Sequence, residues 1–148
     1  MSFNITEKES LVGIEDEGID VEIDDENGEP AYQADGTTPI TIRVVGSLSK
    51  RYRKAQENQR QDAIKSIGKK LTGRESLAKQ TEFVAACTLG WSAGFTHVVN
   101  GAVVDFPFTR ENAIDLYTRL PFIQAKLEAA MVDHAGFSRK PSPSSATP

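Results

Sequence analysis

The stretch FPFTRENAIDLYTRLPFIQAKLEAAMVDHAGF, from Phe106 to Phe137, decides the fold. It reads as two short helices hinged at Pro121. Thr109 stands where an N-cap belongs, and Glu111 places a carboxylate in the first turn, at the positive end of the helix dipole. At 100° per residue Ala113, Leu116, Tyr117 and Leu120 fall within roughly 60° of one another and form one apolar stripe. Pro121 cannot continue that helix but suits the first position of the next. From Phe122 to His134 the wheel carries two apolar stripes. Ile123, Leu127, Ala130 and Met131 make the first, and Phe122, Ala125, Ala129 and Val132 the second. Lys126 and Asp133 separate them on one side, Gln124 and Glu128 on the other. A short helix with two apolar faces needs two things to pack against. One is the core of this chain; the other is a neighbouring element or a partner laid helix-in-groove.

Upstream, Gly90-Trp91-Ser92-Ala93-Gly94 punctuates the chain, and His97–Val104 sets an Asn100-Gly101 pair between β-branched runs, a hairpin signal. A helix is expected from about Glu75 to Leu89, with Leu77, Ala78, Thr81, Val84, Ala85, Thr88 and Leu89 on one face. Phe83, Ala86 and Cys87 make its C-terminal half apolar all round. Another helix is expected from Ser47 or Ser49 as cap to about Leu71. Its stripe Ala63, Ile64, Ile67, Leu71 suggests a core-facing second half, whereas the first half, KRYRKAQENQRQ, offers only Tyr52 and Ala55 and should project into solvent. Nearer the N-terminus, Ile19, Val21 and Ile23 alternate with Asp20, Glu22 and Asp24, and Ile40, Ile42 and Val44 alternate within Pro39–Val45. These are two half-buried strands that pair. The expected fold is α+β and mainly helical: four helices, an N-terminal two-stranded β element and a disordered C-terminal tail. Residues 1–18 are expected as a flexible acidic arm and 19–137 as a single compact domain, with its β element at 19–46 and its helical part at 47–137. Residues 138–148 (SRKPSPSSATP), with three prolines and four serines, form the tail.

Composition narrows the chemistry. At 148 residues and 39% hydrophobic content the chain can bury a core without metal or disulfide help. One cysteine, Cys87, forbids an internal disulfide and reads as a small core residue. No 18-residue apolar run and no basic-then-apolar leader are present, which points to a cytoplasm. Charge is segregated: residues 1–36 carry twelve acids against Lys8, and residues 37–82 carry eleven bases against four acids. His97 and His134 lack the spacing of a metal site. The acidic run at Asp20–Gly28 misses the glycine at position six of a calcium loop, whether counted from Asp20, Glu22 or Asp24. Gly68–Gly73 lacks the strand and first glycine of a P-loop, and no nucleophile-elbow motif occurs. No catalytic residue, metal or cofactor is therefore assigned. The basic helix 50–74, with Lys50, Arg51, Arg53, Lys54, Arg60, Lys65, Lys69, Lys70 and Arg74, is the one electrostatic candidate for nucleic acid. Its cations surround the helix, and the acidic arm can neutralise them in cis.

A linked set of positions carries a family resemblance: Gly90-Trp91, then Pro107-Phe108-Thr109-x-Glu111-Asn112-Ala113, Leu116-Tyr117, Pro121-Phe122-Ile123, Leu127 and Asp133-x-Ala135-x-Phe137. Over roughly residues 85–137 the chain resembles the tail assembly chaperones of long-tailed bacteriophages, and PITIRVVGSLSKRYRKAQ looks similar too. The resemblance implies a helical, non-enzymatic protein of the host cytoplasm that is absent from the finished particle. Its client would be the tape-measure protein, with the tail tube protein and a second copy of the chain as further candidate partners. Trp91, Phe108, Tyr117, Phe122, Ile123, Leu127, Ala129 and Phe137 would contribute to a client-facing or client-supporting surface; the alternative for each is ordinary core. A structural tail or neck (head-completion) component and a nucleic-acid-associated protein are the competing readings.

Overall fold

Ile40, Ile42 and Val44 alternate because they line the inner face of a sheet, and that sheet organises everything around it. In the computed structural model, which describes residues 3–65, 67, 68 and 72–139, strand β1 (Ile19–Glu22) pairs antiparallel with β2 (Thr41–Val44). Ile19 lies opposite Val44, and Val21 opposite Ile42. On the other side of β2 lies β3 (Thr88–Trp91), also antiparallel, with a bulge between Arg43 and Val44. Ile42 and Val44 are completely buried, whereas Arg43, on the opposite face, pairs with Asp20 at 3.1 Å. The long β1–β2 connection is not a free loop. It is stitched by bridges between Asp24 and Pro30 and between Tyr32 and Pro39. At its tip the Thr38 hydroxyl, with the backbone N–H groups of Thr38 and Thr37, donates to Asp35 and holds that carboxyl down at about 2.

Helices cover one face of the sheet. Helix α3 (Gly73–Ala86) brings Phe83, Val84 and Ala85 inward; α4 (Arg110–Arg119) brings Ala113, Leu116 and Tyr117; α5 (Pro121–Met131) brings Ile123, Leu127 and Met131. The hinge forms as its residues dictate. Thr109 Oγ1 accepts from the Asn112 N–H at 3.0 Å, Leu120 closes α4, and Pro121 opens α5. A second, two-stranded sheet is the hairpin of β4 (Thr96–Val99) and β5 (Ala102–Asp105). Its turn residues Asn100 and Gly101 both adopt positive φ, 52° and 81°, as a two-residue hairpin of this hand demands.

The architecture is mixed α+β, with six helices and five strands among the described residues where four helices and two N-terminal strands were expected. Residues 5–17, expected as a flexible arm, form helix α1 (Ile5–Glu17), which Asn4 caps through its side-chain oxygen. The helix expected to reach Leu89 stops at Ala86, and Thr88–Trp91 becomes the third strand of the main sheet. The all-round apolar character there reflects a buried strand following a buried helix turn. Leu77 and Ala78 of the expected inner face are exposed. A third short helix, α6 (His134–Arg139), follows α5, beginning inside the Phe106–Phe137 stretch and ending two residues beyond it. The expected disordered tail falls, from residue 140 onward, outside the described residues.

The two halves of α2 (Lys50–Lys65) are inverted relative to expectation. Ser49 caps it, accepting from the Tyr52 N–H at 3.1 Å. The charged first half is the packed one: Tyr52 meets Phe83 edge-on at 4.9 Å, Ala55 is buried, and Gln59 donates to the Lys79 carbonyl of α3. Ala63, Ile64 and Ile67, expected in the core, are exposed, and Leu71 lies outside the described residues. Two small apolar contacts and side-chain hydrogen bonds to the α3 backbone suffice to dock the first half. The second half is left exposed.

Helix α1 is fixed at its C-terminal end by Glu15, only 2% exposed. Its Oε1 accepts from the Leu48 N–H at 3.0 Å, its Oε2 lies 2.8 Å from His134 Nδ1, and its carbonyl accepts from the Gly46 N–H. The neighbouring Asp16 accepts from the Lys50 N–H at 2.7 Å, so two successive carboxylates of α1 occupy the positive end of α2. A Cβ on Gly46 would overlap the Glu15 carboxylate. Gly46→Ala is expected to displace Glu15 and lower stability by about 2 kcal/mol, because the Leu48 N–H and the carboxylate both lose their partner. Urea unfolding of Gly46→Ala, Glu15→Ala and the double variant checks this, and the double variant should cost little more than either alone.

Candidate functional site

The eight residues assigned to a client surface separate into three places. Tyr117, Ile123, Leu127 and Phe137 are core, none more than 5% exposed. The Tyr117 hydroxyl lies 2.7 Å from Thr88 Oγ1, which itself donates to the Val84 carbonyl. Burial raises the phenol far above its ordinary range despite that hydrogen bond. These four support a surface but present none.

Trp91 and Phe108 meet in an aromatic cleft. The Trp91 indole N–H donates to the Phe106 carbonyl at 3.1 Å, and its ring stacks on Phe106 at 5.9 Å. Phe95 lies tilted at 5.2 Å and Phe108 edge-on at 5.1 Å. His97 meets Phe106 edge-on at 4.6 Å, and the Arg119 guanidinium lies 5.7 Å from that ring. The cleft beside these rings, about 300 Å³, is open. The cluster anchors the β4–β5 hairpin to the body, since Phe95 and Phe106 flank the hairpin and Phe106 N–H donates to the Phe95 carbonyl at 2.8 Å. Sequence reasoning found Trp91 and Phe108 but missed Phe95 and Phe106. The signal was an aromatic immediately before and after a hairpin.

Phe122 and Ala129 belong to the second stripe of α5, and that stripe is exposed. Phe122 is 44% and Val132 55% exposed, with Ala125 and Ala129 open between them; Leu120, at the hinge, extends the patch. The polar residues between the stripes explain why α5 turns this way. Lys126 Nζ pairs with Asp24 at 2.7 Å. Gln124 Oε1 accepts from the Thr81 hydroxyl, and Glu128 accepts from Gln80 and Gln124. Both polar flanks are bound to the rest of the molecule, so the helix cannot roll to hide its second stripe. An apolar stripe held outward at helical spacing is the form of a helix-in-groove contact.

Elsewhere, among the described residues, no buried side-chain polar atom lacks a hydrogen-bond partner. Ser47 Oγ, His134 and Glu15 lie in the order of a hydrolase triad, with Ser47 Oγ 3.5 Å from His134 Nε2. The backbone donors that would stabilise an oxyanion beside Ser47 are used: Ser47 N–H by Met131, Leu48 N–H by Glu15, Ser49 N–H by Gly46, Lys50 N–H by Asp16. The trio is a clasp between α1, the β2–α2 turn and α6. Asp25 accepts from the Asn27 and Glu29 N–H groups, and among the described residues no group of three or more His, Cys, Asp or Glu side chains could hold a metal ion. Residues 69–71 of the glycine-flanked basic run lie outside the described residues. Among the described residues no helix is long and apolar enough to cross a membrane.

Cys87 is fully buried behind α3, and burial pushes its thiol up to about 12. At pH 8 a thiol-specific reagent should leave the native protein unlabelled and label it on unfolding in urea. The raised value also implies stability that is present below pH ~9 and lost as pH rises toward 12, since the unfolded chain ionises first. Cys87→Ala should flatten that alkaline loss.

Neither a protein-family model, nor a curated protein, nor a solved structure matches this chain.

Proposed function

We propose that the chain is an assembly chaperone of a long-tailed phage, which binds and keeps soluble the tape-measure protein until the tail tube forms around it. The observation that carries this reading is the outward apolar stripe of α5, from Phe122 to Val132, on a helix whose first stripe is core. A long helical client would expose apolar faces before its tube polymerises, and a helix presenting Phe122, Ala125, Ala129 and Val132 offers an apolar strip of the kind that packs on such a face. The likeness of residues 85–137 to the chaperone family supplies the client. The rest of the molecule holds the stripe and keeps the complex soluble through its charge. The action is host-cytoplasmic and leaves no copy in the particle.

A second reading, a structural tail component, is favoured by the β4–β5 hairpin. Val98 and Val103, which face each other across it, are 66% and 71% exposed, and among the described residues no further strand pairs with either outer edge, as in a strand that adds to another sheet. Mass spectrometry of purified particles separates the readings, because a retained chain excludes the chaperone.

Leu127→Asp should unfold the protein, at a cost above about 3 kcal/mol for a charge set in the core. Ala129→Asp should change stability by less than about 1 kcal/mol and abolish capture of the tape-measure protein on co-expression. If wild type neither co-purifies with that client nor raises its soluble fraction, the proposal fails. If Ala129→Asp captures it as well as wild type, the stripe is not the contact.

A further inference from the structure

The aromatic cleft does not end at its rings. A second open cavity of about 470 Å³ adjoins it, lined by Tyr32, Asp35, Thr96 and Asp105 among others, and both cavities are bounded by Ala93, Gly94 and Asp105. Gly94 makes the junction possible. At φ 110° it lies so close to the β1–β2 connection that a Cβ there would overlap the Ile40 side chain. Thr96 and Asp105 are opposite each other in the hairpin and share a face with Val98 and Val103, so the groove runs on into an exposed apolar strip. None of these residues lies on α5, so the surface is separate from the stripe and does not rest on the proposed function.

The two ends of the groove differ in chemistry. At the aromatic end the polar side chains already have partners. The Trp91 indole N–H donates to the Phe106 carbonyl, and the Ser92 hydroxyl accepts from the Thr41 N–H and donates to the Ala93 carbonyl. A backbone N–H brought in against the rings would go unsatisfied. Proline brings none, and its fixed φ keeps the chain extended. At the other end Asp35 and Asp105 are exposed, and no Lys, Arg or His lines either cavity. Asp105 enters none of the ion pairs among the described residues, and the Thr37 and Thr38 donors hold Asp35 ionised. Around them, residues 20–36 carry seven acids and no base, and among the described residues only Asp20 and Asp24 of these are ion-paired. The field there draws a cation.

We infer that this groove docks an extended, proline-containing segment of a partner protein that carries arginine: proline in the aromatic cleft, guanidinium on Asp105 beside Asp35. Arginine fits better than lysine, because its planar head forks onto a carboxylate and stacks on aromatic rings. Arg119, held by Asp115 at 2.9 Å, already sets a guanidinium against Phe106 in the same cluster. A small cation meets the carboxylates but leaves the rings bare, whereas a preformed extended segment covers both ends at little ordering cost.

Trp91 is the chain's one tryptophan, so its emission and its indole N–H resonance report on this groove. The full chain is titrated with an acetylated, amidated octapeptide of alternating arginine and proline. Saturable changes in both signals are expected, with a Kd between about 10 µM and about 1 mM at roughly 50 mM salt. Asp105→Lys, at an exposed strand position, should weaken binding at least tenfold with circular dichroism unchanged, and Ala129→Asp should bind as wild type does. On wild type, peptides with glutamate for arginine or alanine for proline should each bind at least tenfold more weakly. No saturation by about 2 mM peptide overturns the inference, as does equal binding by either control peptide or by Asp105→Lys. Equal affinity for spermine also overturns it and assigns the groove to small polycations. The chain's own Arg139-Lys140-Pro141-Ser142-Pro143 has the same chemistry. If Arg139→Glu/Lys140→Glu shifts the Trp91 signals and raises octapeptide affinity at least tenfold, that segment is the occupant and the partner is overturned.

Discussion

The Glu15 carboxylate, closed off from water at the meeting point of α1, the β2–α2 turn and α6, joins parts of the chain that lie 119 residues apart. A buried carboxylate is costly unless its oxygens are satisfied, and here the Leu48 N–H and His134 satisfy them. Several features follow from that placement. Residue 46 must lack a Cβ, α2 must start where Glu15 and Asp16 can occupy its positive end, and α6 must fold back after Met131 to present His134. Ser47 completes the junction by donating its N–H to the Met131 carbonyl. The N-terminal helix, which has no consistent apolar face, is held by these polar contacts, and packing contributes little to it. Its outer half is consequently free to stand away from the body.

Exposed apolar residues are ordinary on any protein, and singly they signify nothing. Arrangement is what distinguishes three groups here. Phe122, Ala125, Ala129 and Val132 recur at helical spacing on a helix whose polar flanks are tied down. Val98 and Val103 face each other on a two-stranded sheet, an element only marginally stable by itself. Ile64, Ile67 and Leu77 are exposed on the distal part of α2, the link after it and the first half of α3. The core cannot absorb any of them, because the inner sheet face is already filled by α3, α4 and α5.

Local chemistry made much of this fold legible. Thr109, Pro121, Asn100-Gly101 and Ser49 act through their own backbone neighbours, so cap, hinge, turn and cap were each readable from a few residues. The two stripes of α5 were readable for the same reason, since periodicity records how many faces a helix has. Which stripe faces the core depends on Asp24, Gln80 and Thr81, residues up to 102 positions away, and no local pattern encodes that. The inversion of α2 has the same origin: Ile64 and Ile67 have core spacing, but α2 docks on α3 through Tyr52, Ala55 and Gln59, all in its first half. Helix α1 was illegible because its anchor is a glutamate, a residue type that sequence patterning assigns to the surface. The strand at Thr88–Trp91 was absorbed into the preceding helix because a buried strand and a buried helix end share an unbroken apolar run.

On the proposed reading the protein must also let go of its client. The α5 stripe offers two alanines between Phe122 and Val132, a small apolar area, and burial contributes roughly 25 cal/mol per Å² before the costs of association. One stripe therefore gives a weak contact, easily displaced by a polymerising tube. A long client needs many such contacts at once.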